Sequence, residues 1–235
     1  MADSAIWLFA QAPDRMDTIN IAIVGSQGVG KSSFIQKSLR LTKFPTANTS
    51  SVRLDLEGIP HIVCLMEFDV EYFDIDDVVA PGKQIKWPKQ INGQQVPRVD
   101  GALVLYDVTN KDSIRELPPA LSELQNLRAT TSRVWADECL GAMSSTSIPI
   151  IIVANKCDTP ENLRQLDTAG VARLANTYTS CIGEFKTSVN APASQRDCLQ
   201  AILKAALANR RGKKIVSFRR FTHTANVQAV DCQLV

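Results

Sequence analysis

Metal-cluster and disulfide spacing are both missing from this sequence. Its six cysteines (Cys64, Cys139, Cys157, Cys181, Cys198, Cys232) are scattered, no two make a C-x-x-C pair, and His61 and His223 are the only histidines. That is poor material for a zinc site or a disulfide framework. The thiols read as core residues of a reducing compartment. A long hydrophobic run is missing too, so no membrane-spanning helix is expected. The first twelve residues carry Ile6-Trp7-Leu8-Phe9 but no basic lead-in, which argues against a signal peptide, and Ala2 replaces the glycine that myristoylation needs. Charge of one sign is in short supply as well: the net is +2. That argues against a dedicated nucleic-acid binder.

What is present is ordinary globular composition over 235 residues, enough for one domain with tails. Apolar runs alternate with helical stretches, the pattern of a mostly parallel sheet wrapped by helices. Strands are expected at 19–24, 52–56, 61–68, 101–106, 148–154 and 181–187, the second and third joined as a hairpin through Glu57-Gly58-Ile59-Pro60. Pro118-Pro119 can open a helix, Asp167 or Thr168 can cap another, and Gln195 to Ala208 is amphipathic. The stretch 69–100 is irregular, and a loop of that length in a compact domain is usually functional or mobile.

Gly25-Ser26-Gln27-Gly28-Val29-Gly30-Lys31-Ser32 fits the pattern G-x-x-x-x-G-K-[ST], directly after an apolar strand and before the helix-forming run that Ser33 opens. In that setting the glycines let consecutive backbone N–H groups face one anion. The helix N-terminus adds its positive end. Lys31 can reach the outer phosphates and the Ser32 hydroxyl can hold Mg²⁺.

A second motif, Asn155-Lys156-Cys157-Asp158, ends the strand at 148–154. A carboxylate at Asp158 can accept both N1–H and the 2-amino group of guanine, two donors that adenine lacks. An unpaired buried acceptor costs about 1–3 kcal/mol, enough to reject ATP. Asn155 can reach the other purine edge, and the Lys156 stem can cover the ring face.

With these motifs in this order, from Ile19 to about Ala208, the chain resembles the Ras superfamily of small GTPases. Gly101-Ala102-Leu103-Val104-Leu105-Tyr106-Asp107-Val108-Thr109-Asn110 resembles the family's fourth strand, and Thr187-Ser188-Val189-Asn190 stands where the family has its S-A-K base loop. Asn190 replaces lysine there, a mild departure in a loop that acts largely through backbone. The resemblance implies an α/β P-loop G domain: a mostly parallel six-stranded sheet with one antiparallel strand and helices on both faces. It implies GTP/GDP and Mg²⁺ as cofactors, exchange, activating and effector proteins as partners, and a monomer. The base site would comprise Asn155, Lys156, Asp158, Ser188, Val189 and Asn190. The phosphate site would comprise Gly25, Gln27, Gly28, Val29, Gly30, Lys31, Ser32 and Ser33.

The switch segments depart from the family. Phe44-Pro45-Thr46 is the switch I candidate, with Thr46 on Mg²⁺ and Thr49 as the alternative; Phe44 packs either on guanine or in the core. Lys31 and Thr46 are the expected catalytic pair, and Ser32, Thr46 and Asp69 the metal set. Asp69-Val70-Glu71-Tyr72 has tyrosine where the family's D-x-x-G needs glycine. Phe73 then replaces the glutamine that orients the attacking water, and Gln27 replaces a common glycine. Hydrolysis is therefore expected to be slow. Glu67, Glu71, Asp74, Asp76 and Asp77 put negative charge near the metal, and Gln84 to Val96, with Trp87 and Ile91, is expected to form a hairpin or lobe.

The resulting division is an N-terminal extension at 1–17, a G domain at 18–209 with an extended switch II at 70–100, and a basic tail at 210–235. Arg210, Arg211, Lys213, Lys214, Arg219 and Arg220 precede Cys232, four residues from the end. That combination suggests either prenylation with attraction to anionic lipid, which would place a cytoplasmic protein at the inner face of a membrane, or an unmodified tail whose basic residues serve solubility or a partner. Two functions fit: a slow guanine-nucleotide switch, or a scaffold that holds nucleotide constantly.

Overall fold

The computed structural model describes residues 16–75, 85–91, 93–115, 117–127 and 147–212. The expectations for 1–15, for Asp76 and Asp77, and for the tail from Lys213 through Cys232 lie outside the described residues.

In chain order the elements are β1 (Thr18–Gly25), α1 (Lys31–Ser38), β2 (Thr49–Leu56), β3 (Ile59–Asp69), β4 (Asp74–Ile75), β5 (Ile85–Lys86), β6 (Gln90–Ile91), β7 (Gln94–Gln95), β8 (Gly101–Asp107), α2 (Leu117–Asn126), β9 (Ile150–Asn155), α3 (Thr168–Ala175), β10 (Cys181–Lys186) and α4 (Pro192–Arg210). Six strands form one sheet in the order β10-β9-β8-β1-β3-β2. All pairs are parallel except β2 with β3, where Thr49 faces Met66 and Leu56 faces Ile59. The turn between those two uses Glu57 and Gly58, both at positive φ (57° and 78°). Two positive φ values in succession match the twist of a two-residue hairpin.

Alternation within the strands splits the core between two faces. Ile19, Ile21 and Ile23 bury against Phe34 and Ile35 of α1 and against Leu199, Ile202 and Leu203 of α4. Ala22 and Val24 join Val104, Tyr106 and Ile152 on the other face, under Leu121 and Leu124 of α2 and Val171 of α3. Every residue of β8 and of β9 is buried, as continuous apolar runs in a parallel sheet require. Asp167 caps α3, its carboxylate accepting from the Ala169 N–H at 2.9 Å. Among the described residues, no helix is long and apolar enough to cross a membrane.

The irregular stretch after β3 folds back on the sheet. A one-turn 3₁₀ segment, Val70–Tyr72, leads to β4, which pairs antiparallel with β5; β6 and β7 make a short hairpin. Trp87 is its anchor: the ring lies 4.5 Å from Phe68 and meets Phe73 edge-on at 5.5 Å. Its backbone N–H donates to Glu123 of α2 at 2.9 Å. Ile91 and Val96 pack on the same core face.

Helix α4 continues through Arg210, the residue read from sequence as the first of the basic tail. Its guanidinium donates to Asp100 through Nε at 2.7 Å and to Asp17 through Nη1 at 2.8 Å, and Nη2 reaches Asp100 and the Thr18 carbonyl. Asp100 also accepts from the Asn20 N–H at 2.8 Å. This clasp ties the last helix to the amino ends of β1 and β8. Arg211 pairs with Glu57 at 2.6 Å. Neither arginine is therefore an unpaired tail cation.

Candidate nucleotide site

Three loops meet over the carboxyl ends of the parallel strands, where ligands of open α/β sheets bind. The first follows β1. Gly28 and Gly30 have φ of 81° and 97°, which L side chains rarely adopt. A Cβ at Gly25 would lie 2.6 Å from the Leu105 carbonyl oxygen, and one at Gly30 would lie 2.5 Å from Asn155 Nδ2. The glycines thus serve two ends: the loop's curvature and its close approach to β8 and to the base motif. Lys31, only 3% exposed, donates to the Gly25 and Ser26 carbonyls at 2.9 and 2.8 Å and pairs with Asp69.

The second loop follows β9 and is laced to the first. Asn155 is buried; its Nδ2 donates to the Val29 carbonyl at 2.8 Å and its Oδ1 accepts from Thr187 Oγ1 at 3.0 Å. Lys156, at φ 61°, donates to the Gly28 carbonyl at 3.0 Å and to Asp107 Oδ2 at 2.6 Å. Burial pushes the Asp107 carboxyl up, but hydrogen bonds from Lys156 and Thr109 outweigh it and hold the group below its ordinary value. Asp107 and Thr187 lie within segments that resemble the Ras superfamily but carry no expected role of their own, and Ser113, which accepts from the Asp107 N–H at 3.0 Å, lies in neither segment. The local signal for Asp107 is an acid closing an otherwise apolar strand.

The third loop follows β10. Ser188 Oγ donates to Asp158 Oδ1 at 2.7 Å, and Asn190 Nδ2 donates to Asp158 Oδ2 at 2.8 Å. Asn190 therefore acts through its side chain and not only through backbone. Both carboxylate oxygens are oriented, and each keeps a lone pair for a further donor. Val189 is 41% exposed beside them.

On the far side of β1, β3 brings acidic side chains to the same loop. Ser32 Oγ donates to Glu67 at 3.0 and 2.9 Å, and the Gln27 N–H donates to Glu71 Oε1 at 3.2 Å. A hydroxyl and two carboxylates, Glu67 and Asp69, are hard oxygen donors of the kind Mg²⁺ takes alongside phosphate. The donor set fits that ion. Ser33 continues α1 behind them.

The switch I candidates are not drawn in. Thr46 is exposed and, among the described residues, no hydrogen bond ties it to the phosphate loop; Thr49 is the exposed first residue of β2. Phe44 is 59% exposed, so it packs in no core. Phe73 is 3% exposed and faces Trp87.

The Ras family sequence model matches residues 20–207. GTP-binding protein Di-Ras2 of Mus musculus is 22% identical over 182 residues, 76% of this chain and 77% of that protein. Ras-like protein rasB of Dictyostelium discoideum is 23% identical over 188 residues, covering 78% and 80%. Human Ras-related protein Rab-44 is 24% identical over 177 residues, 75% of this chain but 15% of its own length. A match that reaches from the first strand into the last helix makes this chain a member of the Ras family.

Proposed function

We propose that the chain is a guanine-nucleotide switch that binds GDP and GTP with Mg²⁺ and hydrolyses GTP slowly. The observation that carries this is the oriented Asp158 carboxylate, held by Ser188 and Asn190 and joined to the phosphate loop through Lys156 and Asn155. A base on Asp158 and phosphates on the Gly28–Ser32 amides would bind one molecule across both loops. The lacing between those loops fixes their separation before any ligand arrives, which limits the ordering cost of binding.

Ser32 would hold Mg²⁺ with Asp69 beside it and Glu67 within reach; bound there, the ion supplies charge neutralisation to the outer phosphates. Lys31 would exchange its Gly25, Ser26 and Asp69 partners for phosphate oxygens. Slow hydrolysis is supported by Phe73, whose ring is buried against Trp87 and has no polar group to hold a water. The bound state would govern exchange, activating and effector partners. The basic stretch from Lys213 to Arg220 would add contact with anionic lipid, without Arg210, whose charge is spent on Asp100 and Asp17.

The test is competition against a fluorescent GDP analogue. GTP should displace it and ATP should not, and Asp158→Ala should weaken guanine binding at least ~100-fold, the loss of two hydrogen bonds to a charged acceptor. Equal competition by ATP refutes the base assignment. Single-turnover GTP hydrolysis then separates a slow switch from a constant holder: no phosphate released over many hours removes the enzyme.

A further inference from the structure

The turn after β3 carries a carboxylate into the mouth of the phosphate loop. Glu71 is the last of three acids at alternate positions, and each has taken a loop group that a nucleotide or its metal would use. Glu67 holds the Ser32 hydroxyl, Asp69 the Lys31 ammonium, and Glu71 the Gln27 N–H. Glu67 and Asp69 share a strand face, as residues two apart must; Glu71 reaches the loop from the 3₁₀ turn that follows.

Strand order decides which end of a nucleotide they face. The base loops follow β9 and β10, which lie on one side of β1; β3 lies on the other. A nucleotide with its base on Asp158 and its phosphates over Gly28–Ser32 points its terminal phosphate towards the end of β3. The turn that carries the exposed Glu71 side chain is also held in place. Its neighbours Val70 and Phe73 are buried at 5% and 3% exposure. Phe73 packs edge-on against Trp87, which is itself fixed by Phe68 and by the bond to Glu123. The brace comes from the added stretch between β4 and β8.

We infer that Glu71 is a specificity-determining residue that makes this site favour guanosine diphosphate over the triphosphate. The inference rests on the nucleotide-binding reading above. Carboxylate and phosphate oxygens are both acceptors, so they compete for the one Gln27 N–H. They are also like charges, and a like charge within ~4–6 Å disfavours an anion. Two such charges at a partly solvated surface repel by enough to change affinity about tenfold or more. A diphosphate ends short of this position and escapes both effects.

The experiment uses the full chain at fixed, saturating Mg²⁺, with fluorescent GDP and a fluorescent non-hydrolysable GTP analogue. The unmodified protein should bind the diphosphate about tenfold more tightly or better. Glu71→Gln, which keeps length and an acceptor but removes the charge, should narrow that ratio towards one by raising triphosphate affinity. Equal affinities in the unmodified protein, or an unchanged ratio in E71Q, would overturn the role of Glu71 while leaving guanine binding intact. If neither nucleotide binds, the underlying reading fails and this inference with it.

Discussion

Removing the Asp100 carboxylate should cost a large share of the fold's stability. Asp100 is 1% exposed and Arg210 10%, and the carboxylate accepts from two guanidinium nitrogens and from the Asn20 N–H. In Asp100→Ala the guanidinium keeps, among the described residues, Asp17, itself 57% exposed, and the Thr18 carbonyl. Breaking one partner of a buried pair costs about 3–5 kcal/mol, because the other charge is left desolvated. Typical domains hold only ~5–15 kcal/mol in total, so the variant should unfold at markedly lower urea. The pair joins α4 to the amino ends of β1 and β8, opposite the nucleotide groove, so selectivity among nucleotides should survive in the folded fraction. Urea unfolding followed by tryptophan fluorescence measures the loss. Asp100→Ala with Arg210→Met removes both charges and should recover most of it. A loss under ~1 kcal/mol for the single variant, or a double variant no better than the single, would refute the reasoning, since then the buried charge was never dependent on its partner.

Three further outcomes follow from the geometry. Gly30→Ala places a Cβ 2.5 Å from Asn155 Nδ2 at a φ of 97°, so nucleotide retention should collapse and the melting temperature fall; unchanged affinity by fluorescence titration would contradict the close approach. Glu184 sits under the Tyr106 hydroxyl at 3.0 Å, and burial raises its carboxyl above the ordinary value. The fold therefore favours its protonated form, and that contribution is complete below the ordinary carboxylate range and lost as pH rises through the raised value. Glu184→Gln should melt higher than the parent at pH 7, with the gap closing in acid; a gap that widens in acid would reverse the sign. Lys156→Ala removes the bonds to Gly28 and Asp107 and should weaken guanine nucleotides more than tenfold, read by the same titration.

Much of the site was legible because its signals are local. A glycine turn between a strand and a helix, or Asn-Lys-Cys-Asp at a strand end, declares its geometry within a few residues. The central strands were legible for the same reason, β1 as an apolar alternation and β8 and β9 as continuous apolar runs, while the sheet of six with one antiparallel came from the resemblance. What escaped depends on partners far apart in the chain. Arg210 looked like the start of a cationic tail because a run of basic residues hides which one ends a helix, and its partner Asp100 lies 110 residues away. Trp87 stands among prolines and turn residues, so nothing near it announces an aromatic stack with Phe68 and Phe73. Asn190 reads as a mild departure in a loop that acts through backbone, since the value of its amide appears only once Asp158 is beside it. Of the two places open to Phe44, the core is excluded because its neighbours leave the ring in solvent.

The indole of Trp87 fills the space behind the turn at 70–73. A segment supported from the rear cannot withdraw cheaply: leaving would open a hole the size of an aromatic side chain, worth about 3–5 kcal/mol. Visitors approaching the turn at 70–73 consequently meet a stiff surface. The segment at 42–48 has no such backing at Phe44, whose ring projects into water.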